Sequence, residues 1–173
     1  DPEVIDWIVA PAGSEVELFI FEFGNRTYQW YWVDWTKITS EAILADVANK
    51  LEAVERNRES QSTGLGDALM AGAEALAGRQ CGAKTIDVSG DGKNNVGMRP
   101  QDVHDRLRSD GITVNGLVVA TQDIAELSAY FHANVIVGSQ SFVETAGGFE
   151  DYARAMKRKL LRELVPKLSM MVE

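Results

Sequence analysis

Past residue 35, strand-length apolar runs alternate with segments of helical periodicity. Two adjacent apolar runs come first, at residues 15–23 and 27–35, joined across Gly24-Asn25 and read as a hairpin. Then come helical patterns at 40–55 and 66–77, a short strand at 84–89, a helix at 100–109 and the strongly apolar run 112–119. A helix at 123–132, short extended pieces at 135–137 and 141–144, and a long amphipathic helix at 149–164 complete the order. Strands alternating with helices predict an α/β layered fold whose sheet is mostly parallel, because a parallel pair needs a long crossover. A short helix also opens the chain, with Asp1 as its cap and Pro2 in its first turn.

Helix faces follow from the 3.6-residue repeat. Ser40 caps a helix whose inner face is Ile43, Val47 and Leu51, with Leu44 alongside. Leu69, Ala73 and Leu76 line the next helix, and Ile124, Leu127 and Phe131 a later one. In the last helix Tyr152, Met156, Leu160 and Leu164 form the core side, and Arg154, Lys157, Lys159 and Arg162 the solvated side. On the second run of the hairpin Tyr28, Trp30 and Trp32 share one face, with Tyr31 and Val33 on the other. Those aromatics either cover a helix or form an exposed surface for a partner.

A chain of 173 residues with no repeat, linker or low-complexity tract suits one domain with a sizeable core. Its 26 acidic residues against 17 basic ones give a formal charge of −9, which argues against a nucleic-acid partner. No apolar run reaches the ~18–20 residues of a membrane span. The lone cysteine, Cys81, offers neither a disulfide nor a zinc spacing and reads as a small half-buried hydrophobe. The chain begins with Asp1 rather than Met and shows no signal peptide, as expected of a processed product or a fragment.

In parallel α/β sheets ligands bind beyond the carboxyl ends of the strands. The loop after the strand ending at Ser89 lies there and carries Asp91, Asn94 and Asn95 among glycines, while Ser62 and Thr63 precede the Gly66 helix. A carboxylate and a hydroxyl at one rim suit a hard cation such as Mg²⁺, which takes oxygen ligands and keeps several waters. Rival motifs fail on particular residues. The run from Asp87 starts like a calcium-binding EF-hand loop, but its twelfth place is Met98 rather than Glu. Gly64-Leu65-Gly66 and Gly90-Asp91-Gly92 do not extend to phosphate loops, and no GxSxG elbow occurs. His104 and His132 lie on helices without a ligand partner at helical spacing; Arg108 stands four after His104. Asn25-Arg26-Thr27 matches a glycosylation sequon, although a turn explains Asn25 as well.

The segments Gln61-Ser62-Thr63-Gly64-Leu65-Gly66-Asp67-Ala68-Leu69 and Thr85-Ile86-Asp87-Val88-Ser89-Gly90-Asp91-Gly92 resemble two successive motifs of von Willebrand factor A domains. Together with Asn94-Asn95, the run from Gly111 to Leu117 and Gly148-Phe149-Glu150-Asp151-Tyr152-Ala153, they resemble one bacterial subfamily over essentially the whole chain. The resemblance implies a Rossmann-like three-layer sandwich: a mostly parallel central sheet with one antiparallel edge hairpin strand and helices on both faces. It also implies a metal-ion-dependent adhesion site, with Thr63 as its Thr and Asp91 as its Asp, where Mg²⁺ completes its shell with a carboxylate from a protein partner. That family's Asp-x-Ser-x-Ser motif is absent from this chain, so the first strand is expected in a segment ahead of Asp1. Leaving the strand out of the fold would strand backbone groups at about 1–3 kcal/mol each. The resemblance implies an exported protein, periplasmic or extracellular, that binds rather than catalyses. A metal-independent interaction domain using the aromatic hairpin is the alternative, and a metal-assisted hydrolase lacks an evident base or nucleophile.

Overall fold

The computed structural model describes residues 1–9, 16–24, 29–55, 62–119 and 123–169. The sequon at 25–27, Tyr28, and the polar stretch 56–61 lie outside the described residues. The fold is mixed α/β, with a parallel three-stranded sheet and an antiparallel hairpin. The chain divides into two compact units: Asp1–Glu22, Trp30–Glu59 and Lys157–Glu173 form one, and Phe23–Gln29 with Ser60–Met156 the other.

The first unit holds α1 (Pro2–Ile8), most of the hairpin β1 (Val16–Phe23) and β2 (Gln29–Ile38), and α2 (Glu41–Glu52). It also takes in α6 (Tyr152–Ser169) from Lys157 onward. Both caps read from the sequence form: the Asp1 carboxylate accepts from the Glu3 amide at 3.1 Å, and the Ser40 hydroxyl from the Ile43 amide at 3.3 Å. Val4, Ile8, Val33, Ile38 and Val47 are the buried core, ringed by Leu18, Ile20, Ile43, Leu44, Leu51, Leu160 and Leu164. Each such aliphatic side chain contributes about 1.5–3 kcal/mol when fully buried.

The hairpin aromatics divide between covered and exposed positions. Trp32 packs on the core, whereas Trp30 and Tyr31 are 57% and 62% exposed. On the opposite side of β1 from Leu18 and Ile20, Phe19 stacks on Trp35 at 5.3 Å and meets Tyr31 at 5.5 Å. The sequence reading fails at Lys159. Placed on the solvated side of α6, it is fully buried, its Nζ 2.8 Å from Glu163 Oε1 one turn on. The inner line of α6 runs through Ala155 and Lys159, both fully buried, whereas Met156 and Leu160, read as the core side, are half-buried.

The second unit is built on β3 (Lys84–Gly90), β4 (Ile112–Val119) and β5 (Val143–Ala146), parallel in the order β3-β4-β5. Lys84 pairs with Ile112, and Gly116 with Val143. As the central strand, β4 is buried almost throughout, which explains its continuous apolar run. Its Asn115 side chain accepts the Phe142 amide at 3.2 Å. Helices α3 (Leu65–Leu76), α4 (His104–Ser109) and α5 (Ile124–Asn134) fill the remaining connections. The expected 100–109 helix divides into a 3-10 turn, Pro100–Val103, followed by α4. The expected strand 141–144 forms two residues later, and Val137 bridges antiparallel to Val114. Cys81, expected half-buried, is exposed, because the turn between α3 and β3 carries it.

Candidate functional site

Parallel strands bring their carboxyl ends, Gly90, Val119 and Ala146, to one rim of the sheet. Asp91 stands directly after β3 and is exposed. Thr63 is half-buried just ahead of α3, whose N-cap is Gly64. The structure brings their two segments together: a Cβ built on Gly92 would lie 3.3 Å from Thr63 Oγ1. A hydroxyl and the residue following the Asp91 carboxylate therefore share one small region.

The two segments are stitched by hydrogen bonds. The Thr63 amide donates to Asn95 Oδ1 at 2.8 Å, and the Asn95 amide donates to the Thr63 carbonyl at 2.9 Å. Next door, the Gly66 amide donates to Asn94 Oδ1 at 3.3 Å, and the Asn94 amide to the Tyr130 hydroxyl at 3.3 Å. One of the donors freed at the start of α3, the Gly66 amide, is thus satisfied from the β3 loop. The buried Asp67 carboxylate accepts the Met98 amide at 3.4 Å. Gly97, at φ +70°, passes so close to that carboxylate that any side chain would overlap it.

Sequence reasoning singled out Thr63, Asp91, Asn94 and Asn95, but gave no role to Asp67 or Tyr130. Three glycines in the 90–97 loop were the available sign that the backbone passes close to other atoms there. From α5, Glu126 pairs with Lys93 at 2.6 Å, and Lys93 Nζ also lies 5.9 Å from the centre of the Tyr130 ring. Behind the rim, the Phe131 ring reaches Gly90 and fills the space beside Gly116. The Tyr152 hydroxyl reaches Ser89 Oγ at 3.4 Å. Beyond β5 Asp151 accepts the Gly147 amide at 3.1 Å, and Phe149 stands 56% exposed in this turn.

His104 is buried, with Nε2 3.0 Å from the Asn134 carbonyl, and His132 is exposed. Burial, partly offset by that hydrogen bond, lowers the His104 pKa. Among the described residues no three His, Cys, Asp or Glu side chains converge as a metal cage. Thr63 and Asp91 are the oxygen types a hard cation takes; by number they make only part of its shell.

The family described as "Protein of unknown function (DUF1194)" matches residues 1–168. No curated protein matches the chain. Proximal thread matrix protein 1 from the mussel byssus is similar in structure, with a TM-score of 0.65 and 18% sequence identity. The similarity covers 94% of this chain and 40% of that one. Likeness at this identity concerns the fold, which fits a von Willebrand factor A-like architecture.

Proposed function

We propose that this chain, which belongs to the DUF1194 family of proteins of unknown function, is a protein-binding module of von Willebrand factor A type. In this reading Thr63 and Asp91 supply two oxygen ligands to Mg²⁺, and a protein partner's carboxylate supplies another. The observation that carries it is the meeting of the Thr63 hydroxyl with the Asp91-Gly92 segment at the carboxyl rim of a parallel sheet. Bound there, the cation would supply the positive charge that a partner's carboxylate ligates.

Binding is favoured over hydrolysis because neighbouring charges are already engaged. Lys93 is held by Glu126, and Asp67 holds the Met98 amide. A hydrolase needs a base aimed at an attacking water. The likeness to a protein named for the mussel byssus matrix is in keeping with an interaction role; the exported bacterial, periplasmic or extracellular setting is part of the proposal. Among the described residues no helix is long and apolar enough to cross a membrane. The exposed Trp30 and Tyr31 favour a second reading, a metal-independent interaction through the hairpin.

Calorimetric titration with Mg²⁺ or Mn²⁺ tests the first reading. Weak binding is expected, with a Kd on the order of 1 mM, lost in Asp91→Ala. Binding that survives Asp91→Ala, or no heat at all, would turn the choice to the hairpin, where Trp30→Ala is the informative variant.

A further inference from the structure

We infer that Asn95 is a positioning residue for the cation subsite, an inference that rests on the function proposed above. Thr63 has no helical or sheet ladder to fix it: α3 begins at Leu65, after the Gly64 cap. Its backbone is held instead from across the loop, its amide by the Asn95 side chain at 2.8 Å and its carbonyl by the Asn95 amide at 2.9 Å. This two-point bond holds the backbone of residue 63 against the loop, and so fixes the point from which its hydroxyl extends. The same residue lies four positions after Asp91 on the loop that Asp91 begins. One side chain therefore ties the hydroxyl donor to the segment carrying the carboxylate donor.

A cation subsite built of two donors on separate segments loses affinity when their separation fluctuates, and an Asn that fixes the separation removes that loss. Asn94 is directed elsewhere: its Oδ1 accepts the Gly66 amide and its backbone amide donates to the Tyr130 hydroxyl. Groups that orient metal ligands without touching the ion are typically worth about 10–100-fold in affinity.

The test uses Tb³⁺, a hard oxygen-seeking ion, with its luminescence excited through the protein's aromatic rings. Wild type, Asp91→Ala and Asn95→Ala are titrated on the full chain, alongside Leu107→Ala. Leu107 is fully buried on α4, so that variant loses stability without touching the loops. The expected result is emission lost in Asp91→Ala, at least about tenfold weaker binding in Asn95→Ala, and unchanged affinity in folded Leu107→Ala. If Asn95→Ala does not fold, the same comparison is read from Asn95→Gln, which moves the amide by one methylene. Wild-type affinity in the Asn95 variant, with emission still lost in Asp91→Ala, overturns the inference and leaves the cation reading standing. Equal loss in Leu107→Ala also overturns it, since stability alone would then account for the effect. Emission that persists in Asp91→Ala, or none in wild type, removes the cation reading itself and the inference with it.

Discussion

Phe131 occupies the space that Gly116 leaves on the central strand: a Cβ at residue 116 would come within 2.9 Å of Phe131 Cδ1. The same ring reaches Gly90 at the end of β3, 3.4 Å from where a Cβ would stand. A large ring on α5 thus closes the back of the rim because two neighbouring strands carry no side chain there. Gly116→Ala forces the ring off its seat, and overpacking of this kind costs about 1–3 kcal/mol. Urea unfolding should show a lower midpoint with an unchanged slope. A midpoint equal to wild type would mean that the ring relocates freely.

At Gly97 the same steric question meets backbone strain. Its φ of +70° disfavours an L side chain, and the Asp67 carboxylate fills the place of a Cβ. Gly97→Ala should destabilise by more than the ~1 kcal/mol of an ordinary glycine replacement. Hydrogen exchange should show early loss of protection at the Met98 amide, which Asp67 accepts. Retained protection at Met98 would show that the loop adapts without releasing Asp67.

His104 gives a pH dependence whose sign follows from its burial. Desolvation places its folded pKa below the ordinary histidine value of 6.5. Above that value the imidazole is neutral in both states and stability is complete. As pH falls through 6.5, the unfolded chain takes up the proton first, so this contribution is lost between 6.5 and the lower folded value. His104→Gln keeps an N–H donor for the Asn134 carbonyl and removes the titration. Urea midpoints at pH 7.5 and 5.5 should therefore differ less in this variant than in wild type. An equal drop in both would assign the effect to other groups.

Several features were legible because one local rule dominates each. Ser40 is a preferred cap ahead of an apolar stripe, and a helix starts there. The unbroken apolar run of β4 leaves no solvent-facing side, and the strand is central. At the rim, Asp91 was legible as a carboxylate following a strand and Thr63 as a hydroxyl ahead of a helix. The bond between Thr63 and Asn95 was not, since it joins residues 32 apart through an amide that has no periodicity. The break at Val103–His104 was also hidden, because a 3-10 turn and an α-helix share nearly the same apolar spacing over a few residues.

Lys159 shows where amphipathic reading gives out, and it supplies the sharpest stability test. Its ammonium is fully buried and pairs with Glu163, whose side chain is 9% exposed. Two charges taken from water lose much of their hydration, and their attraction roughly offsets that loss. Lys159→Ala removes the ammonium from a buried pair, a loss that typically costs about 3–5 kcal/mol. Lys159→Met combined with Glu163→Leu removes both desolvation penalties and keeps the volume, so the double variant should be more stable than Lys159→Ala. Thermal and urea unfolding of the two variants decide the matter. A double variant no more stable than Lys159→Ala would mean that the ammonium stem and its other contacts, rather than the charge pair, hold this part of α6 in place.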